Sequence, residues 1–261
     1  MNTPSRLQPA IFISHGSPMV AIESGPYQDA MAAFGATQLP VAIAVISAHW
    51  DSGKKIRVTS ASTNSLIYDF GGFPRALYEL QYDAPGDPEL AKRIAALLSP
   101  RAVALDPQRG LDHGAWVPLR LMFPNANIPV VEISIPANLP PRELFAIGQS
   151  LAPLRQEGVL LMGSGGIVHN LRTVDFAQKN GAPEQWAVDF DKWFAKAVAE
   201  RNHEVIFNYE AAPNARAAVP TPEHFVPVFV TLGAAENAKT LVNIYEGFEH
   251  RTISMRSFAL L

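Results

Sequence analysis

The sequence predicts an α/β fold: a single domain over residues 1–261, with a mostly parallel central sheet flanked by helices and an antiparallel strand pair at its C-terminal end. Three observations carry this expectation. Short apolar runs bounded by turn residues alternate with segments of helical length and spacing, the pattern of crossover units. At 261 residues and 48% hydrophobic content, the chain can bury one large core. Histidines recur at the punctuation that closes the apolar runs, and parallel sheets gather ligands beyond the carboxyl ends of their strands.

The elements follow in order. Ala10 to Ser14 reads as a buried strand ending in His15-Gly16-Ser17-Pro18, and Val41 to Ser47 as another ending in Ala48-His49-Trp50. Between them, Pro26 to Ala36 places Tyr27, Met31 and Phe34 on one helical face. Ile56 to Ser62 is a strand expectation, followed by the glycine-rich loop Tyr68-Asp69-Phe70-Gly71-Gly72-Phe73-Pro74. Asp87 to Leu98 opens with an Asp cap and a first-turn proline and reads as a helix. Ala102 to Leu105 is a short strand leading to Gly110-Leu111-Asp112-His113-Gly114-Ala115-Trp116. Val130 to Ile135 reads as a strand, Pro141 to Gln156 as a helix closed by Gly158, and Val159 to Met162 as a strand opening into Gly163-Ser164-Gly165-Gly166-Ile167-Val168-His169-Asn170. A helix is expected over Trp186 to Glu200, a loop over residues 211 to 220, and a closing antiparallel pair over Leu241 to Tyr245 and Thr252 to Phe258.

Composition excludes several functions. A net charge of -3, with no run of Lys or Arg interleaved with aromatics, argues against a nucleic-acid surface. Met1 to Ala10 shows no signal pattern, and runs such as Phe225 to Leu232 are far below the ~18 apolar residues of a membrane span, so the expected location is the cytoplasm. The absence of cysteine removes disulfides, thiolate nucleophiles and thiolate-held metals. Any metal must then be held by His, Asp or Glu.

Five histidines fit that role by placement: His15, His49, His113, His169 and His224. His203 and His250 sit in charged surroundings and read as solvated surface residues. Thr221-Pro222-Glu223-His224 looks like a helix start capped by Thr221, which would put His224 near the positive end of a helix dipole and keep it neutral. Glu223 competes with His224 as a ligand, since neighbours on one turn point ~100° apart and do not both reach one ion. Asp69 and Asp112 are candidates to orient a histidine or to cap a turn. Phe70, Phe73, Trp50 and Trp116 are candidates for an aromatic pocket or for the core. Gly163 to Gly166 lacks the lysine of a phosphate loop, and neither Ser17 nor Ser164 lies in a G-x-S-x-G elbow.

Taken together and in order, Ser14-His15-Gly16-Ser17-Pro18, Ala48-His49-Trp50, Asp69-Phe70-Gly71-Gly72-Phe73-Pro74, Asp112-His113-Gly114-Ala115-Trp116, Val168-His169-Asn170-Leu171 and Pro222-Glu223-His224 resemble the bacterial 4,5-DOPA extradiol dioxygenase family, a branch of the class III (LigB-like) extradiol ring-cleavage dioxygenases. The resemblance spans essentially the whole chain. It implies that His15, His49 and His224 are metal ligands, that His169 is the acid/base with metal coordination also open to it, and that His113 faces the substrate. It further implies Fe(II) for activity, with Zn(II) able to occupy the same site, and a small catechol and O2 as partners, giving a muconic semialdehyde. The chain departs from the two-histidine, one-glutamate pattern of the wider class by presenting Glu223 and His224 side by side. Two alternatives use the same histidines: a zinc hydrolase that activates water, and a non-catalytic metal-binding relative.

Overall fold

The computed structural model describes residues 7–53 and 55–261, so the N-terminal expectation over Met1 to Ala10 falls partly outside it. Among the described residues ten strands form: β1 (Ala10–Ser14), β2 (Ala42–Asp51), β3 (Ile56–Thr59), β4 (Val103–Asp106), β5 (Val130–Ile135), β6 (Val159–Gly165), β7 (Leu241–Tyr245), β8 (Phe248–Glu249), β9 (Ile253–Ser254) and β10 (Ser257–Leu260). Eight of them make one sheet in the order β4-β3-β5-β2-β6-β1-β10-β7, and β8 with β9 makes a separate hairpin. The centre, β5-β2-β6-β1, is parallel throughout. β3 joins it antiparallel to β5 while pairing parallel with β4, and β10 and β7 close the other side antiparallel.

Strand alternation sorts the apolar residues onto two faces. Ala10 and Phe12 of β1, with Ala42, Ala44 and Ile46 of β2, pack under the helices Pro88–Leu97, Pro141–Leu151, Gln185–Ala199 and Pro227–Ala234. Ile11 and Ile13, with Ile43 and Val45, face the helices Pro26–Ala36 and His113–Met122. No helix among the described residues is long and apolar enough to cross a membrane.

Several elements differ from expectation for identifiable reasons. The C-terminal pair is Leu241–Tyr245 with Ser257–Leu260, and residues 248–254 form the extra hairpin that the expected second strand overran. The expected Pro141 to Gln156 helix divides into Pro141–Leu151 and Pro153–Gln156, because Pro153 has no N–H to continue the ladder. The expected loop over residues 211 to 220 contains a helical turn, Ala215–Ala218, entered through Asn214 at φ 60°. The helix expected to start at Thr221 starts at Pro227. Phe225 and Val226 do donate to the Pro222 carbonyl, but Pro227 cannot donate to Glu223, so the turn stops and restarts. His224 therefore lies in an isolated turn, and the dipole argument for its neutrality does not apply. His113–Met122 is a helix not assigned from the sequence; it contains Pro118 and is capped by Asp112, whose Oδ1 accepts from the Ala115 N–H at 3.2 Å.

Candidate metal centre and active site

β2, β6 and β1 are neighbours, so the loops leaving their carboxyl ends converge. His15 follows β1 and keeps its register, donating its N–H to the Gly165 carbonyl at 3.1 Å. His49 lies within β2, which runs to Asp51, past the expected end. Between Ile46 and Asp51 the strand advances five residues while β5 advances only from Ile133 to Ile135, and this irregularity displaces His49 from regular pairing. His224 is placed by its own backbone, whose carbonyl accepts from the Gly166 N–H at 2.8 Å. That approach needs glycine in β6: a Cβ on Gly165 would lie 2.0 Å from the His224 oxygen.

His15 and His49 meet with their Nε2 sides. Nε2 of His15 and Nε2 of His49 are 3.1 Å apart, and one ligand atom each from His15, His49 and His224 fall within 4.8 Å of one another. Two imidazole nitrogens bound about 2.0–2.1 Å from one ion at roughly 90–110° stand about 3.0–3.4 Å apart, so this donor set fits a divalent cation.

Each Nδ1 is already engaged, which sets the tautomers. The Ser164 hydroxyl donates its single proton to the Gly114 carbonyl, so at 2.9 Å it accepts from the Nδ1–H of His15. The Gly114 carbonyl is free for this because its helical partner four residues on is Pro118, which has no N–H. Asp69 stands 3.3 Å from Nδ1 of His49, an electrostatic contact, and accepts hydrogen bonds from Nδ1 of His113 at 3.0 Å and from the His113 backbone N–H at 3.0 Å. Glu223 Oε1 stands 3.3 Å from Nδ1 of His224. Glu223 thus points away from the three-histidine cluster and acts on His224 from behind. The second compact group, His49 with Asp69 and His113, comprises the atoms of these contacts.

His169 is brought beside the cluster and is not among its converging nitrogens: its ring stacks on that of His224 at 3.6 Å and 7°, and its N–H donates to the Ala218 carbonyl at 2.9 Å. His113 sits 4.1 Å, centroid to centroid, from His49 and meets the edge of Phe70 at 5.6 Å.

The electrostatics keep His15, His49 and His169 neutral. Burial, reinforced by the neighbouring imidazoles, drives His15 well below the ordinary histidine pKa of 6.5, His49 to about 3 and His169 to about 2. His169 therefore departs from the expectation of a pKa near ambient pH. Against the opposing effect of burial, the hydrogen bond from His113 brings Asp69 to about 2. For Glu223 the hydrogen bond with His224 leads, also to about 2. Neutral imidazoles backed by ionised carboxylates make strong, preorganised ligands.

A cavity of about 240 Å³ opens onto all five histidines, with Phe70, Phe73, Val174 and Phe176 supplying apolar wall. Of the expected aromatic candidates, Phe70 and Phe73 line it, whereas Trp116 is buried with its indole N–H on the Ile67 carbonyl and Trp50 packs under the Arg109 guanidinium at 4.4 Å. Asp112 orients no histidine; it caps its helix and accepts from the Ser47 hydroxyl at 2.6 Å.

Residues 9–259 match the family described as the catalytic LigB subunit of aromatic ring-opening dioxygenase. The chain belongs to that family. It is 44% identical to a 4,5-DOPA dioxygenase extradiol of Beta vulgaris, over 92% of this chain and 91% of that one. A protein of the same description from Escherichia coli K12 is 40% identical over 97% of this chain and 94% of its own length. The crystal structure of an uncharacterized Escherichia coli K12 protein superposes with a TM-score of 0.84 at 36% identity, covering 97% of this chain and all of that one. Membership makes this chain an oxygen-incorporating enzyme of the extradiol type.

Sequence reasoning missed three participants. Ser164 was weighed only as a nucleophile, although its place between two glycines at a strand end was a signal for close packing. His250 reads as surface and Glu249 carries no assignment, yet both line the cavity, because a hairpin folds them back over it.

Proposed function

We propose that this family member opens the ring of a small catechol beside its two hydroxyls, inserting O2 to give a muconic semialdehyde, with one catalytic domain spanning residues 1–261. The observation that carries this reading is the convergence of one ligand nitrogen each from His15, His49 and His224, with the Nδ1 of these rings in contact with Ser164, Asp69 and Glu223, beside a small aromatic-walled cavity. His15, His49 and His224 would hold the metal, and Glu223 would orient His224 without being a ligand. Bound there, Fe(II) supplies the redox step between a chelated diol and O2; Zn(II) suits the same ligands but has no such chemistry.

The chain's own residues do the rest. A cavity of about 240 Å³ lies below the ~300–1,000 Å³ of sites for drug-sized ligands, which suits a one-ring substrate. Phe70 and Phe73 offer apolar contact to its ring. His169, neutral and stacked on His224, accepts a hydroxyl proton as the diol binds. The catecholate anion so formed supplies the counter-charge that burial withholds, raising the affinity of His169 for that proton. His169 would hand that proton back during ring opening, directly or by way of His113, which Asp69 holds in place. Cytoplasmic location remains part of this proposal.

The test is anaerobic loading of metal-free protein with Fe(II) or Zn(II), then exposure to O2 and a catechol panel that includes DOPA. Fe(II)-dependent O2 uptake with the yellow absorbance of a semialdehyde supports the reading. Turnover of hydrolysable substrates with Zn(II), and no O2 uptake with Fe(II), replaces it with the hydrolase.

A further inference from the structure

The hairpin β8–β9 carries charge into a cavity whose other walls are apolar or occupied by histidines. Glu249, at the end of β8, lines the cavity with its side chain only 12% exposed. Asp69, the other carboxylate in the wall, is already taken by His49 and His113. Glu249 is incompletely neutralised: its cationic partner is Lys179, at 3.5 Å, and the same ammonium makes a closer pair with Glu23. One positive charge is thus shared by two carboxylates. Burial pushes the Glu249 carboxyl up and Lys179 pulls it back, as expected of a charge short of counter-charge. Next to it His250, held at φ 51° in the turn, also lines the cavity, and its Nδ1 is buried without a hydrogen-bond partner among the described residues. No Lys or Arg is among the lining residues.

From this arrangement we infer that Glu249 is a specificity-determining residue that selects catechols bearing an alkylammonium side chain over those bearing only a carboxylate, with Lys179 setting how strong the preference is. The inference rests on the ring-opening reading for the identity of the diol, and adds the charge of the substituent. An ammonium entering beside Glu249 completes its neutralisation and makes a charge-assisted hydrogen bond in a partly desolvated place. A lone carboxylate there meets like charge and finds no cation. His250 Nδ1 adds one hydrogen-bonding position beside the same substituent.

Three catechols differing in one substituent, aminoethyl, carboxyethyl or ethyl, test this. Their affinities for the Zn(II)-loaded protein are measured by titration calorimetry, which needs no turnover, and kcat/KM for ring opening is measured with Fe(II). The aminoethyl compound is expected to bind about tenfold or more tighter than the carboxyethyl one, the usual scale for a hydrogen bond to a charged group. Glu249→Gln should bring that ratio close to one. Lys179→Met should raise it above wild type, a gain that damage to the fold does not produce. Equal binding of the two charged catechols by wild type, or a preference that survives Glu249→Gln, overturns the inference. If binding shows the preference while no catechol is opened with Fe(II), the ring-opening reading fails and the charge selection stands.

Discussion

At the residue scale, the site depends on what stands behind each imidazole. Asp69 serves His49 and His113 at once, so Asp69→Asn exchanges one of two acceptor oxygens for a donor and leaves one Nδ1–H unanswered. Metal affinity should fall about 10- to 100-fold with the far-ultraviolet spectrum unchanged, as read by competition with a chelating dye. His169→Ala should leave metal content near wild type while kcat for ring opening falls by about 100-fold or more. Equal activity would remove His169 from the proton path, and loss of metal would make it a ligand. Placement of His15 and His169 just past strand ends was legible because turn residues mark those ends. His224 was already favoured over Glu223 from the sequence; the contact of Glu223 Oε1 with His224 Nδ1 at 3.3 Å was not legible, since no local pattern shows whether a helix begins at Pro222 or five residues later at Pro227. The Ser164 support was hidden for another reason: its acceptor, the Gly114 carbonyl, is free only because of a proline in a distant helix.

Elements approach closely here, and the glycines record it. The helix Pro227–Ala234 lies against β6 so tightly that a Cβ on Gly163 would stand 2.3 Å from the Thr231 hydroxyl, in addition to the clash at Gly165. Gly165→Ala is expected to cost about 1–3 kcal/mol, measured by urea unfolding, and to weaken metal binding because the strain falls on the His224 backbone. A stability equal to wild type would show that the His224 turn can shift without cost. The glycine run that resembles a phosphate loop in sequence is therefore a packing surface. The hairpin β8–β9 is tied down by Asp191, which accepts from the Ser254 hydroxyl at 2.6 Å and pairs with Arg256, while the Ser254 N–H donates to the Val168 carbonyl just ahead of His169. Two-residue strands carry too little pattern to be seen, and the charged neighbours of His250 made it read as a surface residue.

For the whole molecule, the parallel centre and the alternation of apolar residues were legible, since four buried strands read directly as apolar runs. The added β3–β4 pair and the join of β7 and β10 onto the same sheet depend on contacts far apart in sequence. Gathering neutral histidines in one place makes stability depend on pH. Each of His15, His49 and His169 has a folded pKa below its unfolded value near 6.5, so below that pH the unfolded chain takes up protons that the native site refuses. Stability of the metal-free protein should be level above pH 7 and fall as pH drops, by up to about 1.4 kcal/mol per pH unit for each such histidine. Urea midpoints against pH measure this; a flat profile between pH 7 and 5 would mean that the rings are not held neutral. Bound metal should shift the decline to lower pH, since it too requires unprotonated imidazoles.

The most direct test of the account is the fate of labelled oxygen. Fe(II)-loaded protein, given one equivalent of a catechol under ¹⁸O2 in ordinary water, is stopped after a single turnover and its product weighed by mass spectrometry under conditions that limit aldehyde exchange. The account predicts a ring-opened product carrying both labelled atoms. A product without label from O2, or a ring that stays closed while the metal is bound, would contradict it.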